Sequence, residues 1–395
     1  MKQKIPQERV ACENVRRVLL AILTAKKASK ARLAAETGIS LMSISRICDE
    51  LIDLGLIREV DDTSQRPLRS GRPPKKVTLL ADSLLCCGVY LGKRMLHMGI
   101  VNPYGCVLEK KQVSFPEHGS FVPDQVLPWV AEQLKTFLAC WRGRGLLREV
   151  GVSVTGIVDE EKGTLEFSAN LKWKDCGITR YLHGQLPEFD FSLENDTKAL
   201  AQAEYFYGAS AGVGNIVVLT LDDGIGSAAV LDGKVYRARR NMAGEIGHII
   251  LNPNGKACEC GQVGCLQTYL AKNVILNEAQ RMYPGINLRD LVRKSQNNEP
   301  FASALINQVV DYASVAINLL ANMYSPQVIC LSGSTIWDSP VLRDMIEKNY
   351  KNKLSEYLCD SFLLKFDSFG PDAYFIGGAA AAFSHVLERM RVVHV

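Results

Sequence analysis

One histidine and three cysteines within an 18-residue stretch restrict the fold of this chain more than any other feature. His248, Cys258, Cys260 and Cys265 are separated by nine, one and four residues. One imidazole and three thiolates make the closed donor set of a structural zinc ion, and the soft thiolates favour zinc over magnesium or calcium. Gly255, Gly261 and Gly264 let the short loops between them fold back so that the sulfurs converge. A redox Cys-x-Cys pair would leave His248 and Cys265 without a role. Four protein ligands leave no coordination position for water, so the expected metal is structural rather than catalytic. The 12 cysteines are a small share of 395 residues, which fits reduced thiols and one metal site better than a disulfide scaffold.

A chain of this length with 47% apolar and 22% charged residues can bury large cores in two or three domains. Its first residues, MKQKIPQERVACENV, have no apolar run behind their charges, and no uncharged apolar stretch of about 18 residues follows. A cytoplasmic protein with no membrane partner is expected. Charge is distributed unevenly. Residues 1–80 hold 16 Lys/Arg against 9 Asp/Glu, a surplus of seven on a chain whose net charge is +4, so the remainder carries −3. A basic head on a mildly acidic body is the footprint of a protein whose head meets phosphates.

The head reads as three helices and a hairpin. Val15, Val18, Leu19, Ile22 and Leu23 recur at helical spacing between Cys12 and Lys26. Ser29 caps a second helix, Lys30 to Thr37, which Gly38 ends. Ser40 caps a third that runs through Leu54, with Ile44, Ile47, Cys48 and Leu51 inward and Gly55 as the stop. Two short helices across a tight turn make a helix-turn-helix, and its second helix enters the major groove. Ser40, Met42, Ser43, Ser45 and Arg46 are the candidate DNA contacts there, beside Leu41, and Arg46 suits either a guanine edge or a phosphate. Leu56, Ile57 and Val60 begin a strand, and Val77, Leu79 and Leu80 form its return. The segment between them carries Arg66, Arg69 and Arg72 among prolines. It reads as a wing passing into a linker, with those arginines on the DNA backbone or in the minor groove. The expected head is an α+β winged helix-turn-helix spanning residues 1–80.

Beyond residue 81, strand-like runs at Leu84 to Tyr90, Val150 to Val154, Ile216 to Leu221 and Val328 to Leu331 alternate with helical stretches, which argues for an α/β body over residues 81–395. Glu194-Asn195-Asp196, Gly244-Glu245-Ile246-Gly247-His248 and the cysteine cluster occur together in it. With Gly151 to Asp159 and Ser168 to Leu171, they make the body resemble the ROK family, named for its repressors, open reading frames and sugar kinases. The resemblance implies an actin-like, ribonuclease H-like, two-lobed sugar-kinase fold with a sugar in the cleft. It also agrees with the head, since regulators of the family place a winged helix-turn-helix in front.

The resemblance further implies roles for individual residues. Asp196 takes the position of the kinase base, Asn170 and Asn195 those of hydroxyl-binding amides, and Glu245 that of a sugar-binding carboxylate. His248 would link the sugar pocket to zinc. Gln267 stands where the family usually has a sugar-binding glutamate, which points to a ligand other than plain glucose. Lys198, close behind Asp196, could meet an acidic or phosphorylated ligand, but surface lysine is the preferred reading. The first kinase phosphate loop corresponds to Tyr90-Leu91-Gly92-Lys93-Arg94-Met95, where Tyr90 replaces the magnesium carboxylate and Lys93 and Arg94 replace glycine and threonine. The second corresponds to Asp222-Asp223-Gly224-Ile225-Gly226, whose two carboxylates would repel phosphate. The expectation is therefore a repressor of carbohydrate genes that carries structural Zn2+, binds operator DNA as a homodimer or homotetramer, and responds to a sugar or sugar phosphate. An ATP-dependent sugar kinase is the alternative.

Overall fold

The structure is a computed structural model that describes residues 7–61, 75–93, 95–116, 119–141, 147 and 149–390. Arg66, Arg69, Arg72 and Arg94 lie outside the described residues.

Three helices open the chain: α1 (Gln7–Ala25), α2 (Lys30–Thr37) and α3 (Leu41–Asp53). The first starts before Cys12 because its leading turn is polar and leaves no apolar signature. Ser29 and Ser40 cap the next two, each hydroxyl accepting the amide of the residue three positions on, Arg32 and Ser43. Gly38 then adopts φ +67° to end α2. Strands β2 (Ile57–Val60) and β3 (Lys76–Leu79) pair antiparallel, with Ile57 opposite Leu79. A two-residue strand, β1 (Ala28–Ser29), joins on the other side of β3, too short for any periodicity to reveal.

In the body, β4 (Cys86–Gly92), β5 (Met95–Val101), β6 (Val107–Ser114), β7 (Glu149–Val154) and β11 (Asp190–Asn195) form a sheet of order β11-β7-β4-β5-β6. A small sheet, β8 (Ile157–Asp159), β9 (Thr164–Ser168) and β10 (Trp173–Cys176), hangs beside it. The second large sheet has the order β14-β13-β12-β15-β16 and comprises β12 (Ile216–Leu221), β13 (Ile225–Leu231), β14 (Lys234–Val235), β15 (Val328–Ser332) and β16 (Leu363–Phe366). On the first sheet lie α4 (Pro123–Leu138) and α5 (Ile178–Gln185), while α6 (Asp196–Phe206) leads from β11 towards the second.

The helix Ala373–Arg389 seats on β4 and β7 at backbone distance. A Cβ on Gly88 would fall 1.8 Å from the Phe375 carbonyl oxygen, and one on Gly151 would fall 1.9 Å from that of Gly378. Glycine is required at both strand positions. Pro300–Tyr324 is long and apolar enough to cross a membrane. Its Leu305, Ile306, Val309, Ala313, Ile317 and Leu320 are nevertheless buried in the core of the second lobe, which makes it a core helix.

The head does not hang from the body by the Arg/Pro-rich segment alone. One core runs from Val15, Val18 and Ile22 of α1 to Leu200 and Phe206 of α6 and on to Phe383 and Leu387 of the C-terminal helix. Arg16 Nη2 donates to the Gly233 carbonyl at 3.2 Å, and the Tyr104 hydroxyl donates to the Leu79 carbonyl at 3.0 Å.

Candidate functional site

The end of β11 and the first turn of α6 place Glu194, Asn195 and Asp196. Asn195 caps α6, accepting the Lys198 amide, while its Nδ2 donates to the Gly156 carbonyl at 3.0 Å. Asp196 accepts from the Thr155 hydroxyl at 2.7 Å and from the Thr197 amide at 2.8 Å. Burial raises its carboxyl above the usual aspartate range, those hydrogen bonds oppose the rise, and nearby Asp222 adds to it. Glu194 is buried behind this pair. It accepts Arg237 Nη2 at 2.6 Å, Asn241 Nδ2 at 3.2 Å and the Asn195 amide at 2.9 Å.

Lys198 is not a surface lysine. Only 2% of it is exposed, and its Nζ donates to the Asn241 carbonyl at 2.8 Å. Burial lowers its pKa, and the fields of Glu194, Glu245 and Asp196 oppose the fall. Helical spacing hid this, because α6 is buried nearly all round. Asn241 lies at φ +54° and follows Ala238 and Arg240 at φ +53° and +58°. Three such residues within four positions store backbone strain, and Lys198 and Glu194 clamp the strained end. This segment leads directly into Gly244 to His248, so the clamp fixes where Glu245 and His248 emerge. Glu245 faces the same electrostatic field: burial raises its carboxyl, and Lys198 and His248 oppose the rise. Asn170 lies in the turn between β9 and β10, and Gln267 opens the short helix Gln267–Leu270. Neither side-chain amide hydrogen-bonds another described residue.

The donor atoms of His248, Cys258, Cys260 and Cys265 all lie within 4.8 Å of one another. Cys260 and Cys265 sulfurs are 3.7 Å apart, and Cys258 Sγ is 3.8 Å from His248 Nδ1. A tetrahedron with metal–sulfur bonds of about 2.3 Å has sulfur–sulfur edges of about 3.8 Å, so the cluster has the size and donor chemistry of a metal site. Two single-residue bridges, Ile250 with Cys265 and Ala257 with Val263, fold the loop onto itself. At Gly264, φ is +77°, and a Cβ would lie 1.6 Å from the Asn252 carbonyl oxygen.

An aromatic cluster occupies the region between Asp196 and Asp222. Tyr90 stacks on Tyr374 at 4.6 Å, with His97 and Trp337 5.2 Å from Tyr374. The Tyr374 hydroxyl donates to Asp222 at 2.6 Å, and the Ser334 hydroxyl donates to the other Asp222 oxygen at 2.7 Å. Burial and the charges of Asp196 and Asp222 push the Tyr90 phenol pKa up, keeping it neutral. Tyr374, Ser334 and Trp337 were not singled out in the sequence, because they come from segments distant from both loops.

In the head, the outward side of α3 presents Leu41, Met42 and Arg46, while Ser43 and Ser45 are half-buried. The Ser40 hydroxyl is engaged in its cap and also donates to Ser43 Oγ at 2.9 Å. Arg46 Nε lies 3.9 Å from a Glu50 oxygen. A cavity of about 260 Å³ separates Glu13 and Arg16 of α1 from Arg237 and Gln202. A second, of about 580 Å³, continues past Gln202 and Arg237 to Glu194 and Glu160.

The ROK family model matches residues 86–385. The chain belongs to the ROK family. Members similar to it include the xylose repressor of Bacillus subtilis strain 168, 22% identical over 95% of this chain and 96% of that protein. The DNA-binding transcriptional dual regulator NagC of Escherichia coli K12 is 25% identical over 81% of this chain and 80% of its own. Among solved structures, a ROK family transcriptional regulator described as a homolog of the E. coli MLC protein superposes with a TM-score of 0.80 at 24% identity. It covers 96% of this chain and 97% of that one. A ROK glucokinase from Streptomyces griseus, in complex with glucose and AMPPNP, matches 76% of this chain and 99% of its own with a TM-score of 0.67 at 22% identity. The fold is that of ROK regulators and sugar kinases, and the regulator match extends over the head.

Proposed function

We propose that this ROK protein is a transcriptional repressor of carbohydrate genes, released from operator DNA when a sugar or sugar phosphate enters the cleft beside Asp196. The observation that carries the reading is the continuous core joining a winged helix-turn-helix to a ROK body, which ties a DNA-reading head to an effector-binding body. Residues 1–80 would read DNA through Ser40, Met42, Ser43, Ser45, Arg46, Arg66, Arg69 and Arg72, and residues 81–395 would bind the effector. Asn170, Asn195, Asp196, Glu245, His248 and Gln267 supply the acceptors and donors that a ring of hydroxyls requires. A homodimer or homotetramer would match an inverted-repeat operator.

Phosphoryl transfer is not part of this reading. It depends on a magnesium ligand and close backbone approach to phosphates. Tyr90 stands in for the carboxylate, and Asp222 is committed to Tyr374 and Ser334. Asp196 then serves as an acceptor for a sugar hydroxyl.

The test is operator binding by the purified chain across a panel of sugars and sugar phosphates, with ADP release measured in parallel under ATP and magnesium. Release of DNA by one sugar, without ADP, is expected. Asp196→Asn should bind operator as the wild type does yet respond poorly to that sugar, since it exchanges an acceptor for a donor. Sustained ADP formation without DNA binding would overturn the reading in favour of the kinase.

For the cluster of His248, Cys258, Cys260 and Cys265, the proposed metal is structural zinc, which would lock the loop carrying His248 next to the effector. Elemental analysis of protein purified without chelators should find about one zinc per chain. Its absence there would remove this assignment.

A further inference from the structure

Leu41 and Met42 begin the recognition helix, yet they contribute nothing to the core of the head. Ile44, Ile47, Cys48 and Leu51 fill the inward face and are buried, whereas Leu41 is 54% and Met42 83% exposed. No acidic residue stands in the first turn, and residues 1–80 carry a surplus of seven positive charges. That surplus over the head as a whole suits it to a polyanion. The side chains that could form directional bonds there are partly committed. The Ser40 hydroxyl accepts from the Ser43 amide and donates to Ser43 Oγ, and Arg46 stands one turn further on beside Glu50. What the leading turn offers furthest outward is hydrocarbon and thioether. In the major groove only one base edge presents an apolar group, the C5-methyl of thymine.

We infer that Leu41 and Met42 are specificity-determining residues that read thymine methyl groups, so each operator half-site carries A·T pairs beneath the N-terminal turn of α3. The inference rests on the DNA-binding reading above and adds the chemistry of the bases that are read. Two apolar side chains against two methyl groups select thymine without a hydrogen bond, leaving Arg46 for a guanine edge or a phosphate.

The test begins with selection of duplexes from a random-sequence DNA library by the full-length chain. Each thymine of the selected half-site is then replaced in turn by uracil, which pairs identically but lacks the methyl. Burial of one methyl group predicts about a 4-fold loss of wild-type affinity at one or two adjacent positions. Met42→Ala or Leu41→Ala should bind the thymine duplex more weakly and be indifferent to uracil at the matching position. Both side chains are exposed and alanine favours the helix, so both variants should fold. If a sequence is selected but uracil is neutral throughout for the wild type, or affects wild type and both variants equally, the thymine inference falls while DNA binding stands. If no sequence is enriched, the DNA-binding reading falls and takes this inference with it, and the exposed pair then belongs to a protein contact.

Discussion

Glu204, in the last turn of α6, has no exposed surface and lies beside Cys330 and Asp367. Burial pushes its carboxyl up to about 7, with the charge of Asp367 adding to the rise. A carboxyl raised in the folded state binds a proton more tightly there than in the unfolded chain, so stability falls as pH rises from the ordinary glutamate value to about 7. Glu204→Gln should therefore be more stable than the wild type at pH 8, by up to about 3 kcal/mol. The gain should vanish near pH 4, where both states of the wild type are protonated. Thermal melts of the two proteins across that range are the measurement, and a gain that grows at low pH would contradict the burial argument. Asp196 is raised in the same direction, so the chain bears a stability cost at neutral pH for burying the carboxylate proposed above to accept a sugar hydroxyl.

The segment from Ala238 to His248 joins a strained backbone to the proposed effector site and the candidate metal cluster, and Lys198 of α6 clamps its strained end through Asn241. Lys198→Met keeps most of the buried stem but removes the ammonium. It leaves the Asn241 carbonyl without that donor, a loss of about 1 to 3 kcal/mol. The expected outcome is a lower melting temperature, operator affinity close to that of the wild type and an effector dissociation constant raised by roughly tenfold or more. Titrating the inducing sugar into both proteins by calorimetry decides the point. Unchanged sugar affinity would mean that the clamp does not position Glu245.

At the scale of the whole molecule, the apolar seat of α1 on α6 and the C-terminal helix provides a physical connection between the two functions. Arg16 spans it, reaching Gly233 just ahead of β14, beyond which lie Arg237 and the strained segment. If the effector biases this seat, a coupling of about 1 to 3 kcal/mol would weaken operator binding roughly 5- to 150-fold, and operator DNA must weaken effector binding by the same factor. Arg16→Ala should leave operator binding in the absence of sugar nearly intact and shrink both factors together. Fluorescence anisotropy with and without sugar measures one factor, and calorimetry with and without DNA the other. A change in only one of them would violate linkage.

The head was largely legible from local chemistry. Serine caps at Ser29 and Ser40, glycine stops at Gly38 and Gly55, and apolar spacing in α1 and α3 act within a few residues, so the sequence by itself determined the helix-turn-helix. The convergence of the four candidate metal donors was legible for the same reason, because short loops leave few ways for their sulfurs to meet. The two-residue strand β1 escaped, since a strand that short exists only through its partner β3. Lys198 was misread as a surface residue for a related reason: whether a lysine is solvated depends on what packs around α6, and the neighbours Asn241 and Glu245 come from elsewhere in the chain. Tertiary structure alone decided that Tyr374 and Ser334 would hold Asp222, that Gly88 and Gly151 would admit the C-terminal helix, and that α1 would seat the head on the body. Each of these joins segments far apart in sequence, and no local propensity encodes a contact whose partner is chosen by the packing of the whole chain.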